Sequence, residues 1–193
     1  MSALLADTDI RPALKARLLA EHSSDSSTVL LEELGLCRGQ VRIDLALVNG
    51  QLHGFEIKSD RDSLRRLASQ ADIYSKVFDQ TTLVVGPRHL ADALELIPCW
   101  WEVWLVESTL DGPTFKTIRP GTKNFRLEPR MLVELLWLET AVALLNNRGL
   151  ARGIKGKPRC VVWDRICEEI DTQDIAQAVR EQLRNRASQR SCE

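Results

Sequence analysis

Asp44, Glu56 and Lys58 have the types and spacing in this chain that most directly suggest chemistry. Two carboxylates offer oxygen ligands to a hard divalent cation. A lysine two residues beyond the second carboxylate projects the same way along a strand. There it can orient an attacking water or stabilise negative charge on a phosphoryl group. By spacing alone, a solvated salt bridge on a sheet face accounts for the same three residues.

Whether they meet depends on the elements that carry them. Residues 42–58 read as two β-strands joined by a tight turn at Asn49-Gly50. On the first strand Val41, Ile43, Leu45 and Leu47 fall on one face. On the second, His53, Phe55 and Ile57 do. Burying both apolar sets on one side of the sheet puts Asp44, Glu56 and Lys58 together on the other. A two-residue turn would pair Asp44 with Phe55 and split each apolar row. The pattern therefore predicts a three-residue loop or a bulge, with Gly50 in the left-handed region, although Asn-Gly usually marks the two-residue type.

Asp44 followed by Glu56-Ile57-Lys58 resembles the core signature of the PD-(D/E)XK nuclease superfamily, with Ile43 where the family name has proline. Within it, the chain is similar to a small bacterial family of uncharacterised candidate nucleases. Arg42-Ile43-Asp44-Leu45, Phe55-Glu56-Ile57-Lys58-Ser59-Asp60 and Pro98-Cys99-Trp100-Trp101 carry that likeness. It covers residues 28–105 well and the rest loosely. The resemblance implies a mixed sheet flanked by helices, with the active site at one edge. It implies Mg²⁺ or Mn²⁺ held by Glu33, Asp44, Glu56 and the Ile57 backbone carbonyl, with Lys58 positioning the nucleophilic water. In that superfamily a glutamate on the helix before the Asp-bearing strand often joins the metal. Glu33-Leu34-Gly35-Leu36 fits that pattern better than a site using Glu32. Gln70 and Tyr74, one helical turn apart, are similar to a Gln-x-x-x-Tyr pair found beside such active sites. Arg66 extends the row. The implied activity is metal-dependent hydrolysis of nucleic acid, most readily DNA, in repair or defence. The alternative is a catalytically silent nuclease-fold protein, acting as a nucleic-acid-binding or regulatory subunit of a larger complex.

The remaining elements follow in order. Residues 8–22 suit an amphipathic helix capped by Asp9, with Leu14, Leu18 and Leu19 as its stripe. Residues 28–34 suit a second helix ending at Gly35, with Val29, Leu30 and Leu34 turned to the core. After Lys58, the cluster Ser59-Asp60-Arg61-Asp62 starts a helix with Leu64, Leu67, Ala71, Tyr74 and Phe78 on one face. Strands are predicted over 81–85, 101–106 and 114–118, and a short helix over 89–97. The helix after Lys58 is a crossover, so its flanking strands should run parallel. His89 reads as a capping or surface histidine, and Trp100, Trp101 and Trp104 as packing.

Beyond Asn124 the character changes. Residues 129–145 form one long apolar helix that must pack on the sheet or on a partner, a second copy included. Residues 146–159 carry Arg148, Arg152, Lys155, Lys157 and Arg159 with three glycines and no acid. Arg152, Lys155 and Lys157 are candidate phosphate contacts, and a solvated linker is the competing reading. Helices over 163–170 and 172–186 complete the tail. The organisation expected is α/β, with a nuclease-like core over 1–125 and a helical extension over 126–193.

Composition bounds the rest. A net charge of −1 excludes a uniformly basic DNA-binding protein, yet residues 119–190 hold 14 Lys and Arg against 9 Asp and Glu. Five scattered cysteines give neither a disulfide framework nor a zinc pair, and reduced thiols in a cytoplasm are the simpler account. No apolar run approaches a membrane span, and charged residues arrive too early for a signal peptide.

Overall fold

The computed structural model describes residues 4–190. A six-stranded sheet runs in the order of the sequence: β1 (Val29–Leu36), β2 (Val41–Val48), β3 (Leu52–Lys58), β4 (Gln80–Val85), β5 (Glu102–Thr109) and β6 (Gly112–Arg119). β1, β2 and β3 pair antiparallel. β3, β4 and β5 pair parallel, and β6 closes the sheet antiparallel. The two parallel connections run through α2 (Leu67–Tyr74) and α3 (Leu90–Leu96). This is the mixed α/β sheet flanked by helices expected from the sequence, with one strand more.

The extra strand corrects the helix expected over 28–34. β1 pairs with β2 in one register from Val29↔Val48 to Leu36↔Val41, except where Glu33 would meet Asp44. Glu33 has φ 52°, a left-handed conformation costing a non-glycine residue about 1–2 kcal/mol. It resets the side-chain alternation. Leu31 and Leu34, three residues apart, pack against one core cluster, while Leu30 packs against the other. β2 turns over at the same level. Ile43 joins Ala46 and Val48 in the first cluster, and Leu45 and Leu47 lie in the second. The expectation that Val41 and Ile43 share a face with Leu45 and Leu47 is thereby corrected.

The β2–β3 connection is a three-residue loop, since Val48 pairs with Leu52. Asn49 shapes it: its side-chain oxygen accepts the Gln51 N–H at 3.0 Å, and its own N–H donates to the Gln51 carbonyl. Gly50 is absent from the positive-φ residues, so the left-handed glycine expected there is not used. Gly54 on β3 is needed for space instead. A Cβ there would lie 2.6 Å from Ile43 Cδ1 and 3.1 Å from the Phe78 ring.

Both sheet faces are covered. α1 (Asp7–Glu21) buries Ile10, Leu14 and Leu18 against Leu45, Leu47, Phe55, Ile57, Val84 and Trp104. Leu19 is exposed, and Asp9 accepts the Ala6 N–H from inside the first turn while Ala6 holds the N-cap position. The opposite face receives α2, α3 and the C-terminal helices α4 (Pro129–Val133), α5 (Leu138–Asn146), α6 (Arg159–Glu169) and α7 (Thr172–Arg190). The single helix expected over 129–145 is broken at 134–137, where the Gln182 amide accepts the Trp137 N–H and donates to the Leu135 carbonyl. Its apolar residues Leu132, Val133, Leu136, Ala141 and Leu145 are spent on this chain's own core, leaving Trp137 and Leu138 partly exposed. Among the described residues, no helix is long and apolar enough to cross a membrane.

Candidate active site

At the end of β2 and β3 farthest from their loop, the two strands part. Their pairing stops at Leu45↔Phe55, although the register would bring Asp44 opposite Glu56. Side chains take over the freed backbone groups. The Asp44 carboxylate accepts the Ile57 N–H at 2.7 Å, and the Tyr74 hydroxyl, with one proton to share between the Arg42 carbonyl and Glu56, lies 2.8 Å from each. The gap opens into a cavity of about 580 Å³. Glu33, Asp44, Glu56, Ile57, Lys58, Arg66 and Gln70 all line it. The sequence-predicted residues of the core signature therefore share one void.

Glu56 is the most enclosed of them, 2% exposed. Its Oε1 accepts from Lys58 Nζ at 2.5 Å and from Gln70 Nε2 at 2.8 Å, and its Oε2 from the Tyr74 hydroxyl at 2.8 Å. α2 starts late enough to bring this about. Asp62 caps the Ser59 N–H, and Ser63 caps a 3₁₀ turn over Leu64–Arg66 before the α-helix begins. The Ser59–Asp62 cluster therefore orders a loop rather than the helix itself. Gln70 and Tyr74, four apart on α2, then face β3. The Gln70 Oε1 is buried without a hydrogen-bond partner. Tyr74 touches Glu56 but does not line the void.

Electrostatics follows from this enclosure. Burial, reinforced by the Asp44 charge and opposed by Lys58, pushes the Glu56 carboxyl up to about 7. Burial also raises Asp44, against the Ile57 N–H and the Arg11 charge, which lower it. Burial and the Glu56 charge raise Tyr74, so it stays a neutral hydrogen-bond donor.

Two neighbours escaped the sequence reading. Arg11 and Asp7 of α1 also line the cavity. Arg11 contacts Asp44 Oδ1 at 2.7 Å and Glu33 Oε1 at 2.7 Å, and pairs with Asp7 at 3.1 Å. A signal was present: Asp7, Arg11 and Lys15 form a charged row at four-residue spacing beside the stripe of Ile10, Leu14 and Leu18. Glu33 sits on a strand, not the helix expected for it, and is turned to Arg11 and Arg42. Glu32 pairs with Lys15 on the surface.

The donor set suits a hard cation. Asp44, Glu56 and the Ile57 carbonyl are all oxygen donors, and a cation would relieve two carboxylates whose charge burial disfavours. Among the described residues, no three His, Cys, Asp or Glu side chains group in cation-holding geometry. Two carboxylates would need backbone and water oxygens to complete the shell. Arg152, Lys155 and Lys157 are exposed in the turns before α6 and do not line this cavity.

A family model described as bacteriophage P4 protein cII matches residues 1–193. Protein cII of Enterobacteria phage P4 is 30% identical over 150 residues, covering 78% of this chain and 56% of that protein. The chain thus spans about half the length of this curated relative. A solved protein of unknown function from Silicibacter pomeroyi aligns at 21% identity and a TM-score of 0.42, over 74% of this chain and 92% of its own.

Proposed function

We propose that this chain, which belongs to the family of bacteriophage P4 protein cII, is a metal-dependent nuclease of the PD-(D/E)XK type that hydrolyses nucleic acid, with DNA the favoured substrate. The observation that carries the reading is the convergence of Asp44, Glu56 and Lys58 on one cavity, at a point where two strands separate. A Mg²⁺ or Mn²⁺ ion bound by Asp44, Glu56 and the Ile57 carbonyl, with Glu33 beside them, would lower the pKa of a water and polarise the phosphodiester. The rest is done by the chain's own groups. Lys58 holds the water and supports the charge that develops on phosphorus. Gln70 and Tyr74 fix the Glu56 carboxylate between two neutral donors, so its lone pairs face a set direction. Arg66 at the rim of the void offers a two-pronged contact to a phosphate. Arg152, Lys155 and Lys157 would act further along the strand. The protein would work in the cytoplasm, in repair or defence.

One observation favours a second reading, a silent nuclease-fold protein that binds nucleic acid or regulates a partner. Every carboxylate oxygen of Asp44 and Glu56 already has a donor within the protein. The two readings separate when purified protein is incubated with linear, circular and branched DNA and with RNA, in Mg²⁺, Mn²⁺ or chelator. The nuclease reading predicts cleavage that the chelator abolishes and that Lys58→Ala slows by about a hundredfold or more. Binding without cleavage under every condition would leave only the second reading.

A further inference from the structure

Arg11 is a half-buried cation in the wall of the cavity that the reaction outlined above does not use. Its guanidinium makes five contacts. Nη2 lies 2.7 Å from Asp44 Oδ1, and Nη1 lies 2.7 Å from Glu33 Oε1 and 3.2 Å from the Asp44 carbonyl. Nε and Nη2 hold the two Asp7 oxygens at 3.1 and 3.2 Å. Asp44 Oδ2 is already committed to the Ile57 N–H. Arg11 thus sits on Oδ1, the Asp44 oxygen to which no backbone group donates. The oxygen keeps a second lone-pair site, but a guanidinium 2.7 Å away would repel a divalent cation bound to the same oxygen, so cation binding favours withdrawal of Arg11.

Displacement would not carry Arg11 away. Asp7 lies one turn earlier on the same helix and also lines the cavity, so the side chain keeps one anchor when it releases Asp44 and Glu33. The freed edge of the fork then faces the space in which a phosphodiester would lie, and its geometry matches two phosphate oxygens. We infer that Arg11 is a two-position residue. It clamps Asp44 and Glu33 until a divalent cation takes Asp44, and then turns its fork onto a phosphate of the bound nucleic acid. This rests on the nuclease reading, and it makes α1 part of the site rather than a cover for the sheet.

The two positions give Arg11→Gln opposite effects in two binding measurements. Mn²⁺ affinity, read from the paramagnetic signal of the free ion, should rise about tenfold, the scale of one charge-assisted hydrogen bond. Affinity for a short labelled DNA duplex, read by fluorescence anisotropy in Ca²⁺, should fall by a similar factor. Arg11→Lys keeps the charge without the fork and should lie between in both, and circular dichroism shows whether each variant is folded. A merely structural arginine would weaken both affinities on removal, and that result overturns the inference. Unchanged Mn²⁺ affinity, or unchanged DNA affinity, overturns it as well. If wild type binds Mn²⁺ and Arg11→Gln matches it, the Arg11 role alone falls. If neither folded protein binds Mn²⁺, the metal site and the nuclease reading fall with it.

Discussion

At the scale of single residues, the site sets an enclosed pair, Glu56 and Lys58, beside charges that water still reaches, such as Glu33. Glu56 takes its proton in the folded protein at about pH 7, whereas an exposed glutamate does so near its ordinary value of 4.5. Its folded pKa is raised, so its contribution to stability is complete below the ordinary value and is lost as pH rises toward 7. Asp44 is shifted in the same direction and adds to the effect. Without divalent ions, urea denaturation should show stability falling from about pH 4.5 to about pH 7, by on the order of 3 kcal/mol. Glu56→Gln should remove most of that slope. Glu56 and Lys58 were legible in the sequence because they alternate along β3, and Asp44 because the three-residue loop brings it level with Glu56, even though β2 turns over at that point. Arg11 was not, because its partners lie 22 and 33 residues away and only the docking of α1 brings them together.

At the scale of elements, the hairpin loop and the flip at Glu33 decide the geometry. The loop was readable: only a three-residue connection lets Leu45, Leu47, Phe55 and Ile57 share a face, and they do. β1 was misread as a helix for a physical reason. Leu30 and Leu34, four residues apart, mimic a helical stripe, whereas the left-handed Glu33 between them leaves them packed against opposite core clusters. The same flip moves Ile43 over Gly54, which has no room for a side chain. Gly54→Ala should cost about 1–3 kcal/mol in chemical denaturation, since both the Ile43 methyl and the Phe78 ring must move. A neutral effect would mean that the strands slide freely at this level.

At the scale of the whole molecule, the C-terminal helices are built into the same core as the sheet. Leu132, Val133, Trp163, Ile166, Ile175 and Val179 belong to one apolar cluster with Leu83, Val85 and Val103. The sequence showed the change of character past Asn124 and the greasiness of residues 129–145. It did not show which face they would cover, because that choice depends on long-range contacts. One polar contact ties the parts together: buried Arg180 of α7 pairs with buried Asp79 at 3.0 Å, and Asp79 also accepts the Leu52 N–H at the start of β3. Arg180→Met leaves Asp79 buried and unpaired. It should lower stability by about 3 kcal/mol in a single cooperative unfolding transition. Two separate transitions would show that the helical extension unfolds on its own.

The account as a whole depends on Asp44 and Glu56 serving one cation beside Lys58. The most direct test compares the rates at which wild type and Glu56→Ala cleave the best nucleic-acid substrate in saturating Mg²⁺, with both proteins shown to be folded. The account predicts that the variant is slower by about a hundredfold or more. Equal rates would contradict it.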